Sequence, residues 1–230
     1  MSVIDVQGLR YRYPDGTLAL DGVDFHLEAG ERVALLGANG SGKTTFVLHL
    51  NGLLEGEGEI AICGVRLERK SLTAIRNKVG LVFQESDEQL FMPTVFQDVV
   101  FGPLNQGVAP AEATARAKRA LLQVGLEKAA QKAPYHLSSG EKRRAAIAGV
   151  LVMEPEILVL DEPTTSLDPP GQRELIALLR ALPQAKILAT HDVDFAAALC
   201  TRAVFFERGR IAQSGTVSEI AERFNWRARL

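Results

Sequence analysis

Val3 to Tyr13 alternates apolar and polar residues and predicts a strand, Pro14-Asp15-Gly16 predicts a turn, and Leu20 to Leu27 is a second apolar stretch. Arg32-Val-Ala-Leu-Leu36 is apolar nearly throughout, as a strand buried on both faces should be. It runs into a glycine-rich turn, after which Thr44 to Leu54 reads as a helix. Gly56 and Gly58 precede a strand around Glu59 to Cys63, a charged loop, and a strand at Val79 to Gln84.

The pattern changes between about Glu85 and Pro155, where Gly, Pro and polar turns separate helical segments. In the clearest, Ala111 to Val124, Ala117, Leu121 and Val124 share one face while Arg116 and Arg119 point to water. Beyond it, Ile157-Leu-Val-Leu160 predicts a short buried strand, and Asp168-Pro169 a helix start with a side-chain cap and proline at the first position. Ile187 to Thr190 and Ala203 to Phe206 predict two more strands. Apolar strands separated by helices favour an α/β sheet with a parallel core.

Composition narrows the function classes. The chain has 230 residues, 47% hydrophobic and 23% charged, as expected of one domain, or one domain with a sizeable insertion, that needs no disulfide or metal staple. A net charge of −2 gives no basic footprint, which argues against nucleic acid as a partner. Cys63 and Cys200 stand far apart in no metal-binding spacing and read as small buried residues. The longest apolar run, Ala145 to Met153, is far short of the roughly 20 residues of a spanning helix, and no signal peptide is visible. The expectation is a soluble, cytoplasmic protein.

Gly37-Ala38-Asn39-Gly40-Ser41-Gly42-Lys43-Thr44 fits G-x-x-x-x-G-K-[ST] and lies between a predicted strand and a predicted helix. Glycines let the backbone curl so that successive N–H groups meet phosphate oxygens; Lys43 would reach the outer phosphates and the Thr44 hydroxyl would bind Mg²⁺. Asp161 and Glu162 end the Ile157–Leu160 strand. One carboxylate would hold Mg²⁺ and the next would polarise a water in line with the terminal phosphate. A strand ending in two acids is common by itself; joined to a phosphate loop it is specific.

With those residues in place, the whole chain resembles an ABC-type ATPase. The resemblance implies a P-loop NTPase α/β core with an antiparallel β subdomain and an inserted α-helical subdomain, forming one nucleotide-binding domain over 1–230. The core would be 1–84 and 156–230, the helical insertion about 85–155. Tyr13 matches the aromatic that stacks on adenine, and Thr45 joins the phosphate loop's nucleotide contacts. Gln84 matches the glutamine that contacts Mg²⁺ and the attacking water. Leu137-Ser138-Ser139-Gly140-Glu141 resembles the signature, usually LSGGQ. Ser166-Leu167-Asp168 resembles the loop linking two ATP sites, and His191 the histidine that touches the terminal phosphate. Gly209-Arg-Ile211, leading into Ser214-Gly215, is a further match.

Plainer readings accompany these. Tyr13 shares a strand face with Tyr11, and His191 alone would serve structure as readily as catalysis. His26, His49 and His136 form no ligand spacing and read as packing or surface residues. Ser138-x-x-Glu141 is also a capping box for a helix running to Met153. Lys142-Arg143-Arg144 reads as that helix's solvated face, and Arg223 to Leu230 as a frayed or docked tail. The signature departs from the family pattern at Ser139 and Glu141; a carboxylate near a triphosphate is costly unless it turns away, for instance into the capping box.

The stretch from Gln84 through Gln89-Leu-Phe91-Met-Pro-Thr94-Val to Asp98-Val-Val-Phe101-Gly102-Pro103-Leu-Asn105 resembles ATPase subunits of energy-coupling-factor importers of cobalt, nickel, biotin and other vitamins. Leu90, Phe91 and Val95 there suit docking of a helix from a membrane partner. The resemblance implies two ATPase protomers, identical or not, enclosing ATP between one phosphate loop and the other signature. It also implies integral membrane subunits that hold the pair at the cytoplasmic face of the membrane. The alternatives are a catalytically weak partner in a heterodimeric pair and an ABC ATPase unconnected with transport.

Overall fold

The computed structural model describes residues 1–226, and the chain divides into two compact units. The first comprises Met1–Leu81, Glu156–Glu162 and Pro183–Leu230; the second comprises Val82–Pro155 and Pro163–Leu182. The segment Pro163–Leu182, grouped with the core in the sequence reading, falls in the second unit.

In the first unit, β1 (Ser2–Arg12) pairs antiparallel with β2 (Leu18–Glu28) and with β4 (Glu57–Ile62), which pairs with β5 (Val65–Arg66). A second sheet holds β3 (Arg32–Leu36), β6 (Val79–Val82), β7 (Ile157–Asp161), β8 (Ala185–Ala189), β9 (Arg202–Glu207) and β10 (Arg210–Gly215) in the order β10-β9-β3-β8-β7-β6. β3 runs parallel to β8 and β9, and β7 parallel to β8, while β10 returns antiparallel to β9. Val33 to Leu36 and Ile157 to Leu160 are fully buried, which is why they lack alternation.

The helix α1 (Lys43–His49) packs with both sheets: the Phe46 ring lies 5.3 Å from Phe25 on β2 and 5.4 Å from Phe206 on β9. It is shorter than the predicted Thr44–Leu54, because the amides of Leu53 and Leu54 turn back to the Leu48 carbonyl. α2 (Leu72–Lys78), α7 (Val193–Leu199) and α8 (Val217–Arg223) complete the unit. Beyond α8, Phe224 stacks on Phe205 at 3.8 Å and Trp226 meets the same ring edge-on, so the tail is docked to Trp226; Arg227 to Leu230 lie outside the described residues.

The second unit is helical: α3 (Val95–Asn105), α4 (Pro110–Gln123), α5 (Ser139–Leu151) and α6 (Pro169–Ala181). α4 buries Ala113, Ala117, Ala120 and Leu121, the face its periodicity indicated. The three cations expected on a solvated face of α5 are instead engaged. Arg143 is only 4% exposed, Lys142 pairs with Asp87 at 2.7 Å, and Arg144 pairs with Glu174 of α6. Leu90 and Val95 are buried as well, so of the expected docking patch only Phe91 faces water.

Candidate active site

Between β3 and α1 the backbone takes a path that side chains would block. Gly37 has φ +143°, and a Cβ there would lie 2.3 Å from the Phe206 carbonyl oxygen; at Gly42, φ is +111° and a Cβ would come within 2.7 Å of the Ala19 carbonyl oxygen. The turn at Gly209 braces the loop, its amide donating to the Ser41 carbonyl at 2.9 Å. Lys43 Nζ curls inward and donates to the carbonyls of Gly37 (2.7 Å) and Ala38 (3.1 Å). Burial holds the Lys43 pKa below its ordinary value, opposed by the charges of Glu162 and Asp161.

Sheet order explains why those carboxylates are near. β3 and β7 flank β8, and all three are parallel, so the loops after them leave from one edge. That edge collects the phosphate loop, Asp161-Glu162 and Thr190-His191. Glu162 adopts a left-handed backbone, φ +41°, with its amide on the Ala189 carbonyl at 2.8 Å. Its Oε2 accepts from His191 Nδ1 at 2.9 Å and from the Thr190 hydroxyl at 3.3 Å. A carboxylate only accepts, so Nδ1 carries a proton in this bond. Glu162 Oε1 and Ser41 Oγ are buried without a hydrogen-bond partner among the described residues. Such orphaned polar atoms are expected where a ligand completes the bonding.

Tyr13 follows directly on β1, and its hydroxyl lies 2.9 Å from Thr45 Oγ1 in α1. The Tyr11 ring meets Tyr13 edge-on at 5.0 Å.

In the second unit Ser138 caps α5. Its hydroxyl accepts from the Glu141 amide at 3.2 Å and its amide donates to the Glu141 carboxylate at 2.8 Å, completing a capping box. That bond holds the Glu141 carboxyl below its usual pKa. Asp168 likewise caps α6, accepting from the Gly171 amide at 2.8 Å. A cavity of about 150 Å³ is lined by Gln84, Ser139, Arg143 and Ser166 among others. Arg143 there donates to the carbonyls of Phe83 and Gln84 at 2.7 Å each.

The first unit thus brings together Tyr13, the loop Gly37–Thr45, Asp161, Glu162 and His191; Gln84, Ser138 to Glu141 and Asp168 lie in the second. A buried cation in a loop of left-handed glycines beside two carboxylates is suited to a nucleoside triphosphate. A profile of the ABC transporter family matches residues 20–165.

The chain belongs to the ABC transporter family.

It is an ATP-binding, ATP-hydrolysing subunit of a transporter. It is 52% identical to an ABC transporter ATP-binding protein of Streptomyces avermitilis, over 94% of this chain and 83% of that one. It is 47% identical to the energy-coupling factor transporter ATP-binding protein EcfA of Methanosphaera stadtmanae, over 95% of this chain and 81% of that one. Among solved structures it is similar to cbiO1 of Clostridium perfringens, part of the ABC transporter complex cbiONQ. There the TM-score is 0.86 at 38% identity, with 99% of this chain and 96% of that one covered. It is also similar to the cassette MJ0796, in a dimeric post-hydrolysis state bound to ADP and phosphate. That TM-score is 0.83 at 27% identity, covering 93% of this chain and 98% of that one. The ABC ATPase fold read from the sequence is the fold observed.

Two residues of this ABC ATPase escaped the sequence reading. Thr190 donates to Glu162 and accepts from the Asp192 amide at 3.0 Å, but threonine at a strand end is unremarkable in sequence. Arg143 carried a signal: Ala146, Ile147 and Val150 are buried three, four and seven positions after it, which puts it on the apolar stripe of α5. Among the described residues no group of three or more His, Cys, Asp or Glu is placed to hold a metal, and no helix is long and apolar enough to cross a membrane.

Proposed function

We propose that this chain powers import of a micronutrient, a metal ion or a vitamin, through separate integral membrane subunits of the energy-coupling-factor kind. The observation that carries the reading is the likeness, at 45–47% identity over about four-fifths of each relative, to several proteins named energy-coupling factor transporter ATP-binding protein. The likeness to cbiO1 supports it.

The second unit has a surface suited to a membrane partner. Phe91 (63% exposed), Phe101 (40%) and Leu104 (43%) lie on and just before α3, with Phe91 and Phe101 edge-to-face at 5.3 Å. Asp98 steadies the segment by accepting from the amides of Phe91 and Met92 at 2.9 Å each. An apolar helix of a membrane subunit fits such a patch, and binding there would hold the chain at the cytoplasmic face.

Two protomers act together, one supplying the phosphate loop and its partner Ser138 to Glu141; the dimeric MJ0796 cassette supports this arrangement. Lys43 and the loop amides of Ala38 to Thr45 hold the phosphates, while Tyr13 supports the base. Glu162 orients and deprotonates the attacking water, held by His191 and Thr190. Gln84 and His191 sense the terminal phosphate, and Asp168 takes part in linking the two sites. Thr44 and Asp161, both in the first unit, offer oxygen donors of the kind Mg²⁺ accepts, few in number because that ion keeps waters and phosphate oxygens, and Gln84 in the second unit carries a side-chain oxygen of the same kind. When bound, it neutralises charge on the phosphates.

Uptake of labelled cobalt, nickel and biotin in cells lacking the chain tests the reading. Uptake of a micronutrient should fall and be restored by the wild-type chain but not by Glu162→Gln. Unchanged uptake across the cobalt, nickel and vitamin panel would overturn it.

A further inference from the structure

Thr45, in the first turn of α1, closes a circuit with the side chains of Tyr13, Tyr11 and His49 in the first unit. The Tyr13 hydroxyl bonds Thr45 Oγ1 at 2.9 Å, and the Tyr13 ring meets Tyr11 edge-on at 5.0 Å. Tyr11 in turn meets the His49 ring edge-on at 4.8 Å, and His49 Nδ1 bonds the Thr45 carbonyl at 2.7 Å. His49 is 0% exposed. We propose that His49 is a positioning residue for the nucleotide-base platform, fixing the Tyr13 ring against the first turn of α1 through Tyr11 and Thr45.

Each link has a chemical reason. A carbonyl oxygen only accepts, so Nδ1 carries the proton and donates to Thr45. Nε2 is then a bare lone pair, buried with no hydrogen-bond partner among the described residues. Gly56 closes over it, since a Cβ at that position would lie 3.0 Å from Nε2 and 2.5 Å from the Arg10 carbonyl oxygen. Burial lowers the His49 pKa, so the ring stays neutral and keeps this tautomer near neutral pH. An aliphatic residue would fill the space but would lack both the N–H for Thr45 and an aromatic edge for Tyr11. Tyr13 sits just beyond the end of β1, where without such contacts its ring would sample several rotamers. Holding it in one removes an ordering cost from nucleotide binding.

The proposal rests on the reading of Tyr13 as the base platform, so the test separates the two. Binding of a non-hydrolysable ATP analogue and of inorganic tripolyphosphate is measured by calorimetry on the full chain. His49→Leu should weaken the analogue about tenfold while tripolyphosphate changes less than about twofold, because only the base needs the platform. His49→Asn, whose amide N–H replaces Nδ1–H but which offers no aromatic edge to Tyr11, should recover only part of the loss. Unchanged analogue affinity, or equal weakening of both ligands, overturns the role of His49. If His49→Leu does not fold, Tyr11→Leu breaks the same circuit and is judged by the same ratio. Tyr13→Ala distinguishes the failures: if it leaves the analogue affinity intact, the platform reading itself is wrong. If it weakens the analogue while His49→Leu does not, only the circuit is wrong.

Discussion

The guanidinium of Arg143, in the helix that begins at the signature, donates to the backbone carbonyl of Gln84 at 2.7 Å and, with its other terminal nitrogen, to that of Phe83. The signature helix and the glutamine segment therefore share one buried cation. Their positions are coupled by two charge-assisted bonds rather than by packing alone.

Arg143→Met should destabilise the protein by about 2–4 kcal/mol, because it leaves two partly buried carbonyls without donors. Arg143→Lys, which keeps a charged donor but lacks the planar fork that spans both carbonyls, should lose less. Denaturant titration measures both; a Met variant within about 0.5 kcal/mol of wild type would mean that water replaces the guanidinium.

Thr190 shares Glu162 Oε2 with His191, and Thr190→Val removes its hydroxyl at little cost in volume. If the two donors aim the carboxylate, kcat for ATP hydrolysis should drop about 3- to 10-fold with KM nearly unchanged, since the hydroxyl bonds the Glu162 carboxylate. Steady-state kinetics decide it: a rise in KM at constant kcat would place Thr190 in binding instead.

What the sequence disclosed and what it hid divide by distance along the chain. The phosphate loop, the caps at Ser138 and Asp168 and the buried strands are local patterns, and each appears where its pattern lies. The α3 helix has no comparably clear local pattern, since Gly102 and Pro103 interrupt it. Its first amides are satisfied from afar, Val95 by the Lys132 carbonyl at 3.0 Å and Phe96 by that of Ala130 at 2.8 Å. Pro103 lies inside this helix, and Gly102 leaves room for Met153, whose sulfur would lie 2.7 Å from a Cβ there. The stripe of α5 marks Arg143 as buried, but its partners were hidden for the same reason: they are carbonyls some sixty positions away, which no charge pattern reports.

Glu141 stands where the family pattern has glutamine, and its carboxylate is occupied by the Ser138 amide. Glutamine can accept the same bond through its side-chain oxygen. Glu141→Gln should therefore shift the ATPase rate by less than about threefold and stability by less than about 0.5 kcal/mol. A tenfold gain in rate would mean that the carboxylate reaches the phosphates despite its cap.

Lys186 lies inside β8, 1% exposed, with Nζ donating to the Gln184 carbonyl at 2.7 Å. Burial, reinforced by the Arg32 charge, lowers its pKa from 10.5 to about 8. Between those two values the unfolded chain binds more protons than the folded one, so this group makes stability rise with pH from about 8 to 10.5. Below pH 8 the lysine is charged in both states, and folding bears the full cost of burying it. Lys186→Met, similar in volume and uncharged, should therefore be more stable than wild type at pH 7, by about 1–3 kcal/mol. The gain should shrink steadily above pH 8. Thermal or denaturant unfolding of both proteins at several pH values from 7 to 10 reads the difference directly. A gain that stays constant with pH would mean that methionine stabilises by packing, and a loss at pH 7 would mean that the charged lysine is held by bonds stronger than its desolvation cost.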